Sequence, residues 1–431
     1  MRWWIACAIT ALIVALVLRE DAFAVPVFVA SALLVVVATA RVIPHHPLAW
    51  LMRTLQRVPS LFWLSWLVAG FAIGVGWLLV FQPSAGIAIR ASEAWLVAAL
   101  LVSWTSTFTI GLDRTTLQAM GQRMRWRVNL LIVVATLLLL VFGLELVLRY
   151  AVVMSDNFAF SKMHQNWVRL YWNPINEVGY RDDPLDLLPE RQHILVMGDS
   201  LASGYGINSI RDTFPHVLGD AVGASYAVNI AAEPGWGTGT ARAAVQQYPI
   251  IPDTLIVSFY LNDIVEGDAA KVYNAPFPAI RVTPSPEAAW WVDSFYIANF
   301  YYYRIYHYST VRSGQQYLDW VLDAYADSTV WTAYQVELDQ VREWAADNDV
   351  TLMAIVWGNM PDLARSMVAT NAVVSYFNQH NVPVVDMPML LVGQPSSTLI
   401  VNAFDAHPSV YAHWVAGEAL ATLLTASATN P

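Results

Sequence analysis

The chain has 431 residues, 57% hydrophobic and 13% charged, with a formal net charge of −10, where an ordinary soluble domain carries about 25% charged residues. Residues 1–150 hold 11 Arg and 5 acids, whereas residues 151–431 hold 12 Lys plus Arg and 28 acids, so the two parts belong to different environments. The one cysteine, Cys7, excludes an intrachain disulfide and a thiolate metal cluster, and the acidic second part argues against nucleic acid as a partner.

The basic part contains five long apolar stretches, roughly Trp3–Leu18, Ala22–Ile43, Leu61–Phe81, Ala91–Leu112 and Val128–Leu148. Each approaches the roughly 20 apolar residues that a membrane span needs. The first lacks a small-residue cleavage site before Arg19-Glu20-Asp21 and so reads as a span rather than a signal peptide. Arginines gather before the first stretch (Arg2) and in the second and fourth connections: Arg41, Arg53, Arg57, Arg114, Arg123, Arg125 and Arg127. Positive charge stays on the cytoplasmic side. An integral membrane protein is therefore expected, with about five transmembrane helices over residues 1–150. Its N-terminus is expected in the cytoplasm, and everything after Arg149 in the periplasm or outside the cell. Trp3, Trp4, Trp63 and Trp95 suit span ends, and Glu93 and Glu145 read as interfacial.

Residues 151–190 read as a linker and entry segment before the second domain, 191–431. From His193 onward, apolar runs alternate with amphipathic ones. Predicted strands are Ile194–Met197, Tyr226–Ile230, Thr254–Tyr260, Thr351–Val356 and Val382–Val385. Predicted helices are Asp212–Val222, Thr238–Gln247, Val330–Asn348, Pro361–Asn381 and Val410–Thr425. This alternation predicts an α/β fold with a parallel sheet covered on both faces. Residues 264–329 interrupt it with an aromatic-rich insertion carrying Trp290, Trp291, Phe295, Tyr296 and Phe300 to Tyr303. Three readings stand for it: a small core of its own, a lid or substrate-facing surface, or contact with the membrane interface.

The run Ile194–Gly206, "ILVMGDSLASGYG", places Ser200 just beyond the first strand. Ligands in open α/β sheets bind beyond the carboxyl ends of strands. A serine hydroxyl becomes a nucleophile only with a base in reach. Three further stretches supply the partners. "NIAAEPGWGTGT" (229–240) carries Gly235, whose backbone N–H suits a developing oxyanion, and "SFYLND" (258–263) carries the amide of Asn262. "FDAHPS" (404–409) carries His407 as base and Asp405 to hold its ring. Asp199 and Asp263 read as acceptors within their turns. His45, His46, His193, His216, His307, His380 and His413 read as structural or solvated, and no metal site is expected.

These four stretches resemble the SGNH, or GDSL, hydrolase family over most of residues 190–425. The strongest parts are "ILVMGDSLASGYGINSIRDTFPHVLGD", "YAVNIAAEPGWGTGT" and "LIVSFYLND". The resemblance implies a flavodoxin-like three-layer α/β/α sandwich and no cofactor. It implies a nucleophilic Ser200, a catalytic His407 and Asp405, and an oxyanion hole formed by Ser200, Gly235 and Asn262. Two positions depart from the family pattern. Tyr260 stands where the third block has glycine, and Asp405 and His407 are separated by one residue instead of two. The expected activity is that of a membrane-anchored serine esterase removing acyl groups, acetyl first among them, from extracytoplasmic glycans or lipids. An O-acetyltransferase acting on a cell-surface polysaccharide and an inactive glycan-binding or assembly module are the alternatives.

Overall fold

A computed structural model describes residues 141–150, 152–157, 161–186, 188–275 and 284–429, with backbone alone at 304–314 and 427–429. The chain divides into two compact units, Met1–Ala151 and Val152–Pro431. Of the first, residues 141–150 are described and are helical, with Arg149 paired to Glu145 one turn earlier at 3.2 Å. The five expected spans lie outside the described residues, apart from the last turns of the fifth. Among the described residues no helix is long and apolar enough to cross a membrane.

The second unit opens with helix α1 (Lys162–Tyr171), then strand β1 (Gln192–Gly198), helix α2 (Phe214–Val222), β2 (Tyr226–Ala232), α3 (Thr238–Gln246) and β3 (Thr254–Phe259). Three helices follow, α4 (Pro286–Ser294), α5 (Tyr296–Ala326) and α6 (Ser328–Asp347), and then β4 (Thr351–Val356), α7 (Leu363–Gln379) and β5 (Val384–Asp386). A short hairpin, β6 (Ile400–Asn402) and β7 (Asp405–Pro408), precedes the last helix, α8 (Val410–Thr429). Strands β1 to β5 form one parallel sheet in the order β2-β1-β3-β4-β5. That is the flavodoxin-like order, and its topological switch point falls between β1 and β3.

The strands read as apolar runs because both sheet faces are covered. Side chains alternate between the faces. Leu195, Met197, Leu255, Val257, Ala354 and Val356 pack with α3, α6 and α7. Ile194, Val196, Ile230, Ile256, Met353 and Ile355 pack with α2 and α8. All five predicted strands and five predicted helices are present within a few residues.

Two regions differ from the sequence reading. Residues from Val152 onward, expected as a linker, belong to the same compact unit as the sheet and form α1. The aromatic insertion is largely helical, and its second half does not build a separate core. Leu318, Val321 and Ala324 of α5 join the core on the α3 face of the sheet. Trp290 and Trp291 of α4 stay exposed.

Candidate active site

Ser200 follows β1 in a chain of tight turns. Gly198 is forced by close approach, since a Cβ there would meet Ser258 Cβ and O at 2.9 Å. Past it, Asp199 Oδ1 accepts the Leu201 N–H at 2.9 Å and Ser200 O accepts the Tyr205 N–H at 2.8 Å, so the loop closes on itself. Its outer wall is gripped by Arg181, which is 1% exposed. The guanidinium donates to the carbonyls of Ser203 (3.1 Å), Gly204 (2.7 Å), Ile207 (2.6 Å) and Tyr171 (2.9 Å). It also lies over the Trp172 ring at 4.9 Å, a cation–π contact. Burial lowers its pKa to about 10, so it remains charged near neutrality.

Strand β7 brings the base. Alternate residues of a strand face the same side, so the one-residue spacing of Asp405 and His407 puts both side chains together. His407 Nε2 lies 3.0 Å from Ser200 Oγ, and Nδ1 lies 2.5 Å from Asp405 Oδ1. Asp405 Oδ1 also accepts the His407 backbone N–H at 3.1 Å. The carboxylate takes the Nδ1–H and leaves the Nε2 lone pair facing the serine hydroxyl. The spacing that departs from the family pattern is therefore compatible with a Ser-His-Asp relay.

The electrostatics agree with this geometry. Burial works to raise the Asp405 carboxyl, but His407 and the hydrogen bonds Asp405 accepts outweigh it and hold it below the usual carboxylate range. Burial works to lower His407, but the Asp405 charge and hydrogen bond overcome it, with Asp199 adding to them, and the ring sits above its ordinary 6.5. Asp199 itself is pushed up to about 6, by burial above all.

Gly235 and Asn262 follow β2 and β3, the strands on either side of β1. Topology thus carries both residues to the sheet edge that holds Ser200. Gly235 has φ +82, and a Cβ there would meet nothing within 4 Å. Asn262 Nδ2 donates to Glu266 Oε1 at 2.6 Å, while its Oδ1 is buried without a hydrogen-bond partner. Desolvation pushes the Glu266 carboxyl up to about 7, with the Asp199 carboxylate adding to it. Asp263 is buried and accepts from Tyr260 N–H and Thr238 Oγ1, both at 3.4 Å. Burial, then Asp199 and Glu266, raise it well above the carboxylate range.

Several residues of the site carried no sequence signal. His164 of α1 accepts the Asp156 N–H on Nδ1 at 3.2 Å and meets the Tyr205 hydroxyl with Nε2 at 3.1 Å. The Tyr205 ring lies between the two imidazoles, its centroid 5.2 Å from His164 and 4.4 Å from His407. Gly206, at φ +84, is required here: a Cβ would meet Asp405 Oδ2 at 2.7 Å. The other described histidines are structural. His413 accepts the Phe214 N–H at 3.1 Å, His193 meets Leu188 O at 3.1 Å and His380 packs on Tyr376. His216 sits 3.4 Å from Asp182 Oδ1. The fold supplies that neighbour from a distant segment, and burial lowers the ring to about 4. His45 and His46 lie outside the described residues, as does the side chain of His307. Among the described residues no group of three or more His, Cys, Asp or Glu side chains is arranged to hold a metal ion.

No protein-family model matches this chain, and no curated protein matches it. Similar solved structures include a lipase/acylhydrolase from Enterococcus faecalis, 13% identical with TM-score 0.34, covering 55% of this chain and 96% of that one. A member of the lipolytic protein G-D-S-L family from Veillonella parvula is 14% identical with TM-score 0.31, covering 54% and 98%. A carbohydrate acetylesterase family member from Sinorhizobium meliloti is 12% identical with TM-score 0.31, covering 55% and 98%.

Proposed function

We propose that the α/β unit hydrolyses acyl esters, with Ser200 as nucleophile, His407 as general base and acid, and Asp405 orienting the ring. The observation that carries this reading is the continuous Ser200–His407–Asp405 chain of contacts at 3.0 and 2.5 Å. Ser200 Oγ attacks the ester carbonyl carbon as its proton passes to His407 Nε2. The oxyanion is received by the Ser200 and Gly235 N–H groups and the Asn262 amide. Collapse expels the alcohol, which takes the proton from His407. A water molecule then gives its proton to His407 and attacks the acyl-serine carbonyl carbon; collapse breaks the bond to Ser200 Oγ, which takes the proton back from His407, and the acid leaves.

The substrate is an acyl group, acetyl first, carried by a glycan or lipid outside the cytoplasm. Supporting this reading are the arginine placement, from which the acidic unit is expected across the membrane from the N-terminus, and the five apolar stretches expected to anchor it. The test uses the full chain, wild type and Ser200→Ala, on p-nitrophenyl esters from acetyl to long-chain. Hydrolysis that falls at least about 10³-fold in Ser200→Ala supports the mechanism. Hydrolysis unchanged by the substitution overturns it, as does a wild type inert to every ester and to a serine-directed phosphonate. Activity confined to acetyl favours a glycan deacetylase, and activity rising with chain length favours a lipid esterase.

A further inference from the structure

The β6–β7 hairpin that carries Asp405 and His407 is not part of the five-stranded sheet. Its own pairing is short and irregular, with Ile400 opposite Pro408 and Asn402 opposite Asp405. Something else must hold the base at 3.0 Å from the nucleophile. The structure shows a run of chain at residues 155–157 lying against the hairpin. Asn157 donates its backbone N–H to Phe404 O at 3.0 Å and accepts the Ala406 N–H on Oδ1 at 2.7 Å. These two bonds bracket Asp405 on either side. Ser155 O accepts the Asn402 side-chain amide at 3.2 Å. Between them, Asp156 O accepts the Tyr205 hydroxyl at 3.0 Å, and Tyr205 belongs to the Ser200 loop.

We propose that Asn157 is a positioning residue for the Asp405–His407 pair, and that the run 155–157 ties the base-bearing hairpin to the nucleophile loop. Asn157 is exposed, so Asn157→Ala removes the side-chain half of the bracket and keeps the backbone bond to Phe404, without opening the core. The Oδ1 acceptor is the working atom: aspartate keeps it and alanine does not. The inference rests on the Ser200–His407 reading above.

Its test must separate lost positioning from lost folding. His407 is faced by Asp405 on its own hairpin, by Asp199 and Tyr205 from the Ser200 loop, and by His164 from α1. Of these, only Asp405 is bracketed by Asn157. The experiment compares wild type, Asn157→Ala and Asn157→Asp in the full chain. It measures kcat and KM on p-nitrophenyl acetate, and the pH dependence of His407 carbethoxylation by diethyl pyrocarbonate, read by peptide mass spectrometry. That reagent modifies the neutral ring and needs no turnover. In Asn157→Ala, kcat is expected to fall about tenfold with KM within about twofold. The His407 midpoint is expected to move down towards 6.5, because a displaced Asp405 no longer holds the charged ring. Asn157→Asp is expected to recover kcat to within about threefold of wild type. A wild-type midpoint in Asn157→Ala overturns the proposal, whether kcat is retained or falls with the folded fraction. A wild type without Ser200-dependent turnover defeats the functional reading instead, and the midpoint alone then decides on Asn157.

Discussion

The two halves of the proposed catalytic pair are held in opposite ways. Ser200 sits on a loop that leaves a central strand of the parallel sheet and is gripped from outside by the buried Arg181. Asp405 and His407 sit on a two-stranded hairpin outside that sheet, held by side-chain contacts and by a short run from before α1. Ser200 thus depends on the stability of the core, and the Asp405–His407 pair on a few hydrogen bonds outside the sheet, the Asn157–Ala406 one exposed. Damage to the first should show as unfolding, and damage to the second as lost turnover from a folded protein.

After Ser200→Ala, the largest effect expected in a folded variant is that of Asp405→Asn, with kcat falling about 10³- to 10⁴-fold. An amide at this position no longer favours the productive tautomer. Steady-state kinetics against pH checks this. In the wild type, kcat/KM rises as His407 loses its proton, and that step lies above the ordinary 6.5 because Asp405 raises it. The Asp405→Asn residual activity should titrate at lower pH. Stability runs the other way. The contribution of the charged pair is present in full between about pH 3.8 and 6.5; it is lost as pH rises through the raised His407 pKa and as it falls through the lowered Asp405 pKa. An acid limb that stays put in Asp405→Asn would mean that another group sets the profile.

Arg181→Met tests the other half. It leaves four carbonyls without their donor, and unfolding free energy should fall by about 3 kcal/mol or more, at roughly 1–3 kcal/mol per buried unsatisfied group before the loop relaxes. Chemical denaturation measures it. A shift below about 1 kcal/mol would show that the Ser200 loop stands without its grip, and the contrast between the two halves would collapse.

The smallest effect concerns the oxyanion side. Glu266 holds Asn262 Nδ2 and is raised to about 7. Above that pH its charge opposes the developing oxyanion. Between about pH 6 and 8, ionisation of Glu266 should take a few-fold off the rise in wild-type kcat that His407 deprotonation brings, and Glu266→Gln should remove that inflection while keeping the hydrogen-bond partner. An inflection that survives in Glu266→Gln assigns it elsewhere.

Much of the Ser200 half was legible in the sequence. Strands buried on both faces are continuous apolar runs, and Ser200, Gly235 and Asn262 each follow one within a few residues, so local pattern places them at one sheet edge. The other half was legible only as a list of residue types. Asp405 and His407 were visible as "FDAHPS", but three- and four-residue strands carry no usable period, and the stretch read as a loop before the last helix. Arg181, His164, Ser155 and Asn157 fell in what reads as a linker, because nothing local marks a residue whose partner lies up to 249 positions away.

Chain pattern by itself determined the alternation of strands and helices, the charge asymmetry between the two parts, and which residue types could carry acyl chemistry, because periodicity and composition are local properties. Tertiary structure alone decided that a one-residue Asp-x-His spacing brings Asp405 to the ring that meets Ser200, since a strand turns both side chains to one face. It also decided that the chain from Val152 helps to build the site, because only folding sets Asn157 against Phe404 and Ala406.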